Sequence, residues 1–320
     1  MNSWYPHQLT LLAFALVLVA CGEGEENASG AKTSTTSPGA AATAVKDGGQ
    51  PTLRCPAKVR KELQGPDIIG LKLGMSLDEA LNTARCALGE DAVVKTENHW
   101  LKTPEGRYID TFGIELGTQT FTVKKGDHRP CNFQREWQSC EGAFKWEHVD
   151  EIVTVAIPGA PGKETSMAMW RTQNFRDGQM PPAQSLLDAL IAKYGEPQHV
   201  ERSDKQRGYT AGYRELHWVR DRSGSPLADP NPLYRQCFSA ISGRGESTSV
   251  SWRDGCGLNV WARVYLSGQN PGLAMELNMG MVQQSDLWAH GEATQADLRQ
   301  LGEAQRDAEV QEAGDADVKL

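Results

Sequence analysis

Two stretches of strict apolar alternation restrict the fold of this chain more than any other feature. Every second residue is apolar through residues 258–266 and again through residues 273–281. The segment between them, Ser-Gly-Gln-Asn-Pro-Gly at 267–272, is rich in turn-forming residues. A two-residue period places apolar side chains on one face of a strand. The pattern therefore predicts an antiparallel hairpin with one buried face and one solvated face.

Two amphipathic helices are predicted, and each precedes a group of strands. In the first, Ser76 and Glu79 form a capping box, apolar residues follow with helical spacing, and Gly89 is placed to end the helix. The second follows a Pro-Pro pair at 181–182 and ends at Gly-Glu-Pro, residues 195–197.

Strand-like segments follow both helices in the same order. They cover residues 93–101, 108–123, 151–157 and 165–175 after the first helix, and 199–203, 213–220, 258–266 and 273–282 after the second. We therefore predict an α+β fold of two tandem modules with disulfides, each a helix packed on an antiparallel sheet of about four strands. The modules would span residues 53–178 and 179–288.

Short motifs at both helices resemble a known family. Gly-Met-Ser-Leu-Asp-Glu-Ala at 74–80 resembles the sequence that opens small envelope lipoproteins of the SmpA/OmlA type. Tyr-Gly-Glu-Pro at 194–197, followed by Leu-His-Trp-Val at 216–219, resembles a later part of that motif. A tandem of such modules is similar to the beta-lactamase-inhibitor-protein fold, and other exported bacterial proteins share the same opening. The resemblance implies a helix-on-sheet fold and a non-catalytic accessory role in outer-membrane barrel assembly.

The first twenty residues resemble a lipoprotein signal peptide. Residues 9–20 form an uncharged apolar run that is too short to cross a membrane. Leu-Val-Ala at 18–20, immediately before Cys21, resembles the lipobox of bacterial lipoproteins. That resemblance implies cleavage before Cys21 and acylation of this residue, and Gly22 resembles the sorting residue of outer-membrane lipoproteins. An ordinary cleaved signal, with Cys21 incidental, is the alternative.

Six cysteines follow Cys21, and an even number in an exported chain predicts three disulfides. Sequence proximity favours the pairs Cys55–Cys86, Cys131–Cys140 and Cys237–Cys256. Some unpaired buried thiols are the alternative. The chain has no Cys-x-x-Cys sequence and no close cluster of Cys and His, so we expect no metal site and no cofactor.

Both ends of the predicted mature chain are polar. Residues 21–52 are of low complexity and predict a flexible tether, and residues 289–320 predict an acidic polar tail that is only weakly helical. Most of the formal net charge of -8 lies in these two segments. The negative net charge argues against a nucleic-acid partner.

We find no motif for catalysis. The chain has no Gly-x-Ser-x-Gly elbow and no P-loop, and Gly-Arg-Gly at 243–245 lacks the rest of a dinucleotide-binding loop. The histidines are isolated from one another, and we expect His217 to be exposed on its strand. No catalytic residue is therefore predicted.

One polar stripe is a candidate binding face. Asn259, Trp261, Arg263 and Tyr265 alternate with apolar residues and would point away from the buried face of their strand. An aromatic and arginine face is typical of binding surfaces. The alternative is that the other module or the tail covers this side of the sheet.

These features together favour a non-catalytic envelope lipoprotein. It would be anchored through Cys21 in the outer membrane, facing the periplasm.

 We interpret the chain as a protein-binding, assembly or inhibitor module with an envelope protein as partner. A periplasmic protein that binds a glycan or another small ligand is one alternative, and an envelope hydrolase is another.

Overall fold

The structure is a computed structural model that describes residues 53, 55, 57, 60–63, 65–98 and 108–314. The predicted signal segment, Cys21 and the tether up to residue 52 lie outside the described residues. The helices are α1 (Leu77–Leu88), α2 (Phe133–Glu136), α3 (Ala183–Tyr194), α4 (Pro232–Cys237) and α5 (Gln284–Gly314), with a short 3₁₀ helix at Trp137–Ser139. The strands are β1 (Val93–Glu97), β2 (Thr120–Pro130), β3 (Phe144–Ala156), β4 (Ala168–Asn174), β5 (His199–Ser203), β6 (Thr210–Asp221), β7 (Ile241–Arg244), β8 (Ser247–Val250), β9 (Cys256–Ser267) and β10 (Ala274–Gln283).

Eight of these strands form one antiparallel sheet in the order β1-β2-β3-β4-β10-β9-β6-β5, and β7 and β8 form a separate hairpin. The predicted α+β class with an antiparallel sheet is therefore confirmed. The pairing of β4 with β10 joins strands from both sides of the predicted boundary at residue 178. The structure does not confirm an arrangement of two separate modules.

The helices α1 and α3 pack on one face of the sheet, which we name the first face; the opposite side is the second face. The predicted capping box of α1 is present: the Glu79 backbone N–H donates to the Ser76 hydroxyl, and the Ser76 N–H donates to the Glu79 carboxylate. Beneath the helices, Val260, Ala262 and Val264 of β9 are buried in one apolar core. This burial confirms the face that the alternating pattern of β9 predicts.

The second face of the sheet is not solvated throughout, which corrects the expectation from the alternating pattern. Trp170 and Trp261 lie on this face and form a second apolar cluster with Ile241 and Trp252. Between the two sheet tryptophans stands Gly280, where an added Cβ would lie 2.8 Å from Cγ1 of Ile241. The β7–β8 hairpin therefore docks where the sheet offers no side chain.

The segment predicted as an acidic polar tail is the helix α5 as far as residue 314, and it packs on the rest of the fold. Its buried residues include four that are spaced by seven, four and four positions: Leu287, Thr294, Leu298 and Gly302. An added Cβ at Gly302 would lie 2.5 Å from the carbonyl oxygen of Phe112. Because this buried side is narrow and the rest of the helix is polar, composition alone suggests a solvated tail.

All three predicted cysteine pairs lie at disulfide-bonding distance. The Cα–Cα distances are 5.6 Å for Cys55–Cys86, 5.8 Å for Cys131–Cys140 and 5.4 Å for Cys237–Cys256. The first pair ties the segment before α1 to that helix, and the third ties α4 to the start of β9. The expectation that each cysteine pairs with its neighbour in sequence is confirmed.

The packing of α5 can be tested with two leucines of the same helix. Leu298 is fully buried, so Leu298→Ala should lower the free energy of unfolding by about 3 kcal/mol. Leu301 is 43% exposed, so Leu301→Ala should change it by less than about 0.5 kcal/mol. Urea unfolding of the full chain measures both values. Equal small effects would show that α5 is not part of the cooperative fold.

Candidate binding cleft

The four residues of the predicted binding stripe lie on the second face of β9, but only two of them reach a cavity. Asn259 and Trp261 are each 3% exposed, and Trp261 packs beneath the β7–β8 hairpin. This burial corrects the expectation that the four residues form one open surface. Arg263 and Tyr265 lie beyond the covered part of the strand and line a cavity of about 560 Å³.

Positive charge dominates the lining of this cavity, which we name the cationic cleft. The side chains on which its chemistry depends are five cations, two tyrosines and one carboxylate: Arg202, Lys205, Arg207, Arg244, Arg263, Tyr213, Tyr265 and Glu201. They come from β5, β6, β9, the end of β7 and the loop that joins β5 to β6. Segments distant in sequence therefore converge on one cavity.

Arg263 is held among aromatic rings at the floor of the cationic cleft. Its guanidinium carbon lies 4.5 Å from the ring centre of Tyr213, 5.6 Å from that of Trp261 and 5.9 Å from that of Tyr265. Its Nε donates a hydrogen bond to Glu215, and its Nη1 donates one of 3.2 Å to the Tyr265 hydroxyl. Burial lowers the pKa of Arg263, but the contacts with Tyr265 and Glu215 outweigh burial and raise it. The side chain is thus fixed in both charge and orientation.

Glu215 lies behind Arg263 and is only 5% exposed. Burial raises the pKa of its carboxyl group, but hydrogen bonds from His217 and Arg263 outweigh burial and lower the pKa to about 2. Its Oε1 lies 2.6 Å from Nε2 of His217. Because an ionised carboxylate can only accept hydrogen bonds, this contact requires a proton on Nε2.

The expected exposure of His217 is wrong, since this residue is 3% exposed. The ring of Phe238, which follows α4, lies 4.3 Å from the His217 ring and covers it. The strand pattern of β6 identifies the face to which His217 belongs. It does not reveal that the segment after α4, which lies between β6 and β9 in the chain, packs on that face.

A second arginine is fixed in the same manner. Nε and Nη2 of Arg244 donate hydrogen bonds of 2.6 and 2.5 Å to the two carboxylate oxygens of Glu276, which is 2% exposed. Glu276 also accepts a hydrogen bond of 2.7 Å from Asn278 Nδ2. The Arg244 guanidinium carbon lies 5.4 Å from the ring centre of Tyr265. A buried carboxylate therefore orients each of the two arginines.

The rim of the cationic cleft supplies the excess of positive charge. Arg202 pairs with Asp204 at 2.8 Å. In the part of the chain that the structure describes, Lys205 and Arg207 have no carboxylate within salt-bridge distance, and both are exposed. These two cations are available to an anion that enters from solvent.

Sequence reasoning missed most of the cationic cleft. It noted Arg244 only as part of a Gly-Arg-Gly sequence that fails to match a nucleotide-binding loop. A usable signal was present on β6, where Tyr213, Glu215 and His217 are every second residue of the strand and so share one face. The strand order that places this face beside Arg263 cannot be read from the alternation.

The other cavities and side-chain clusters are weaker candidates. A cavity of about 360 Å³ has mostly apolar walls, which include Leu63, Leu258 and Met281, and few polar groups converge on it. Among the described residues, no group of three or more His, Cys, Asp or Glu side chains is arranged to hold a metal ion. A site that combines aromatic walls with converging charged groups is the stronger candidate for ligand binding.

Comparisons with known proteins add no assignment. No family model matches the chain, and searches of curated proteins and of solved structures give no match. Within the described residues, every helix is too short or too polar to cross a lipid bilayer. The function therefore has to be argued from the geometry of the chain itself.

The role of Glu215 predicts a specific dependence of stability on pH. At neutral pH, Glu215→Gln should lower the free energy of unfolding by about 2 kcal/mol, because the buried His217 and the partly exposed Arg263 lose their charged acceptor. The carboxyl pKa is about 2 in the folded state, against an ordinary value of 4.5. Its stabilising contribution is therefore present above pH 4.5 and is lost as the pH falls toward 2.

Thermal unfolding of parent and variant across this pH range measures the effect. The stability difference between them should shrink as the pH falls. Glu196 is exposed and lies outside the cationic cleft, so Glu196→Gln serves as the control and should leave stability nearly unchanged. A difference between parent and Glu215→Gln that stays constant with pH would contradict the assigned role.

Proposed function

We propose that this protein is a lipid-anchored envelope protein that binds a small anionic ligand in the cationic cleft without catalysing a reaction. The observation that carries the proposal is the convergence of five cations on a cavity of about 560 Å³, in whose described lining Glu201 is the only carboxylate. Ligand-binding cavities commonly measure about 300–1,000 Å³, so the volume suits a small molecule larger than a single ion.

The placement of the aromatic rings favours an anionic ligand over a neutral sugar. A neutral sugar binds through stacking on a free aromatic face. In the cationic cleft, Arg263 lies over Tyr213 and Arg244 lies over Tyr265, so guanidinium groups occupy ring faces. The rings therefore serve to orient cations, and the cations present N–H groups to the ligand.

The chemistry of the cationic cleft favours binding over catalysis. Arginine keeps its proton at any physiological pH and so cannot act as a general acid or base. The acid–base pair of His217 and Glu215 is buried behind Arg263. A hydrolase of the glycosidase type would need two carboxylates that flank the substrate, and Glu201 is the one carboxylate in the described lining.

The structure weakens one argument for a protein partner at this site. That argument is the predicted open face of Asn259, Trp261, Arg263 and Tyr265, of which Asn259 and Trp261 are buried. Arg263 and Tyr265 remain accessible only within a recess. A recess of this kind fits a small ligand better than the broad surface of an envelope protein.

The anchor is proposed from the sequence. The lipobox-like segment before Cys21 supports acylation of that residue, and Gly22 supports an outer-membrane location facing the periplasm. The pairing of the other six cysteines is consistent with an oxidising compartment. It also leaves Cys21 as the cysteine without a predicted disulfide partner.

We also propose that the sheet consists of two repeats of one plan, as in the tandem modules that the SmpA/OmlA-like motifs suggest. Support comes from the order of the elements. A helix followed by four strands of the sheet occurs twice: α1 precedes β1–β4, and α3 precedes β5, β6, β9 and β10. The last strands of the two series, β4 and β10, are paired at the centre of the sheet.

Calorimetric titration of the full mature chain tests the proposed ligand class. The probes are glucuronic acid oligomers and glucose phosphates, with neutral glucose oligomers of the same length as the comparison. We expect heat of binding from at least one acidic probe and none from the neutral one. Affinity should fall as salt is added, because the excess charge lies at the exposed rim.

Charge reversal at the rim provides the matched variants. Lys205→Glu combined with Arg207→Glu should weaken binding by more than about tenfold without loss of stability. Arg235 is exposed and lies outside the cationic cleft, so Arg235→Glu should bind like the parent. Equal binding of acidic and neutral probes, or full affinity in the double variant, would refute the proposal.

A further inference from the structure

The hairpin of β2 and β3 extends beyond its neighbours in the sheet. β1 pairs with residues 120–124 of β2, and β4 pairs with residues 151–156 of β3. In the described structure, residues 126–130 and 144–149 pair with each other and with no other strand of the sheet, and Phe144 also bridges to Glu141 in the loop at the tip. This distal half of the hairpin, which we name the arm, is a two-stranded ribbon without a third strand on either side.

The tip of the arm presents two large aromatic side chains to solvent. The loop at the tip is closed by the Cys131–Cys140 disulfide and contains α2 and the 3₁₀ helix. Phe133 is 58% exposed and Trp137 is 66% exposed. Phe133 begins α2 and Trp137 begins the 3₁₀ helix that follows it, so both lie in the same short loop. A covalently closed loop thus displays an apolar pair that the fold itself does not bury.

The charged groups at the tip are arranged so that its carboxylates are neutralised. Glu136 accepts hydrogen bonds from Arg129 and Lys145, which lower the pKa of its carboxyl group to about 2. Glu141 pairs with a lysine of β2. Arg135 is exposed, and no described carboxylate lies within salt-bridge distance of it. The tip therefore offers two aromatic groups and one available cation.

The surface area that Phe133 and Trp137 can bury distinguishes between a protein partner and a membrane partner. A phenylalanine and a tryptophan together bury about 300–500 Å². A stable protein interface needs about 800 Å² from each partner, so the pair is too small to hold a protein by itself. A bilayer surface requires no matching shape. A weak second contact there is sufficient when an acyl anchor already holds the chain.

We propose that the tip of the arm inserts Phe133 and Trp137 into the interfacial region of a phospholipid bilayer, with Arg135 beside anionic headgroups. Aromatic side chains partition to this region, and arginine extends to the phosphate level. The contact adds to the proposed anchor at Cys21 and does not involve the cationic cleft. It would hold the arm against the membrane while the cationic cleft remains open to solvent.

Sedimentation with vesicles tests the insertion without an anchor. The full mature chain carrying Cys21→Ser is mixed with vesicles of phosphatidylethanolamine and phosphatidylglycerol. Phe133→Ala and Trp137→Ala should each lower the partition coefficient by about tenfold. Tyr209 is 88% exposed elsewhere, so Tyr209→Ala is the matched control and should partition like the parent. Equal partition of all four proteins would refute insertion by the arm.

Fluorescence quenching tests which residue enters the bilayer. The mature chain is coupled through the Cys21 thiol to a maleimide lipid, which supplies an anchor whether or not Cys21 is acylated in cells. Brominated lipids should quench the emission of the parent more than that of Trp137→Phe. Equal quenching of the two proteins, or none, would refute the proposal. In that case, the exposed tip of the arm would instead be a candidate contact for another protein.

The two proposals can fail separately. Lys205→Glu combined with Arg207→Glu should leave vesicle partition unchanged, because both cations line the cationic cleft and not the arm. Phe133→Ala should leave the binding of acidic saccharides unchanged. If the rim variant alone reduced partition, the membrane contact would belong to the cationic cleft, and the arm proposal would be wrong.

Discussion

The pairing of β4 with β10 is the constraint on which the rest of the structure depends. It joins the strands that follow α1 to those that follow α3 in one sheet. It also aligns Trp170, Gly280 and Trp261 across three neighbouring strands. Ile241 of the β7–β8 hairpin fills the gap above the glycine. Docking of this hairpin in turn brings Arg244 over Glu276, so the cationic cleft depends on the central strand pair.

Covering the second face of the sheet places charged groups in the interior, and each has a partner. Lys124 contacts Glu246 of the hairpin loop, Arg244 pairs with Glu276, and Glu215 pairs with Arg263. Buried ion pairs add little net stability, because desolvation offsets most of their attraction. Their effect here is to fix orientation.

The oriented arginines keep donors for a ligand. Arg244 uses Nε and Nη2 for Glu276, which leaves Nη1 without a partner among the described residues. Arg263 uses Nε and Nη1, which leaves its Nη2. An anion in the cationic cleft would therefore meet donors that are already held in place, and its binding would lose less side-chain entropy than binding to mobile arginines.

The features that could be predicted from sequence are those set by neighbouring residues. The capping box at Ser76, the position of β5 and the pairing of nearby cysteines all depend on short segments, and the structure confirms them. The segments that cover the second face could not be predicted, because their apolar residues are scattered. Ile241 and Leu287 come from separate segments, each polar in its surroundings, and only the folded chain brings them to Trp261.

Both candidate sites lie beside irregular points in the sheet, and glycine is required at each. The register of β6 shifts between Thr210 and Tyr213, where Gly212 has a φ of +113° and an added Cβ would lie 2.0 Å from the Ser203 oxygen. This bulge precedes Tyr213 at the floor of the cationic cleft. At the base of the arm, Gly126 has a φ of +154° and follows another shift in register.

Bulges bend a strand and change the direction in which its side chains point. One bulge lies where β6 reaches the cationic cleft, and the other lies where the arm leaves its neighbouring strands. Without the bulges, β6 and the β2–β3 hairpin would continue in the direction of their neighbouring strands. The two glycines thus permit the local departures from a regular sheet beside which the cationic cleft and the arm lie.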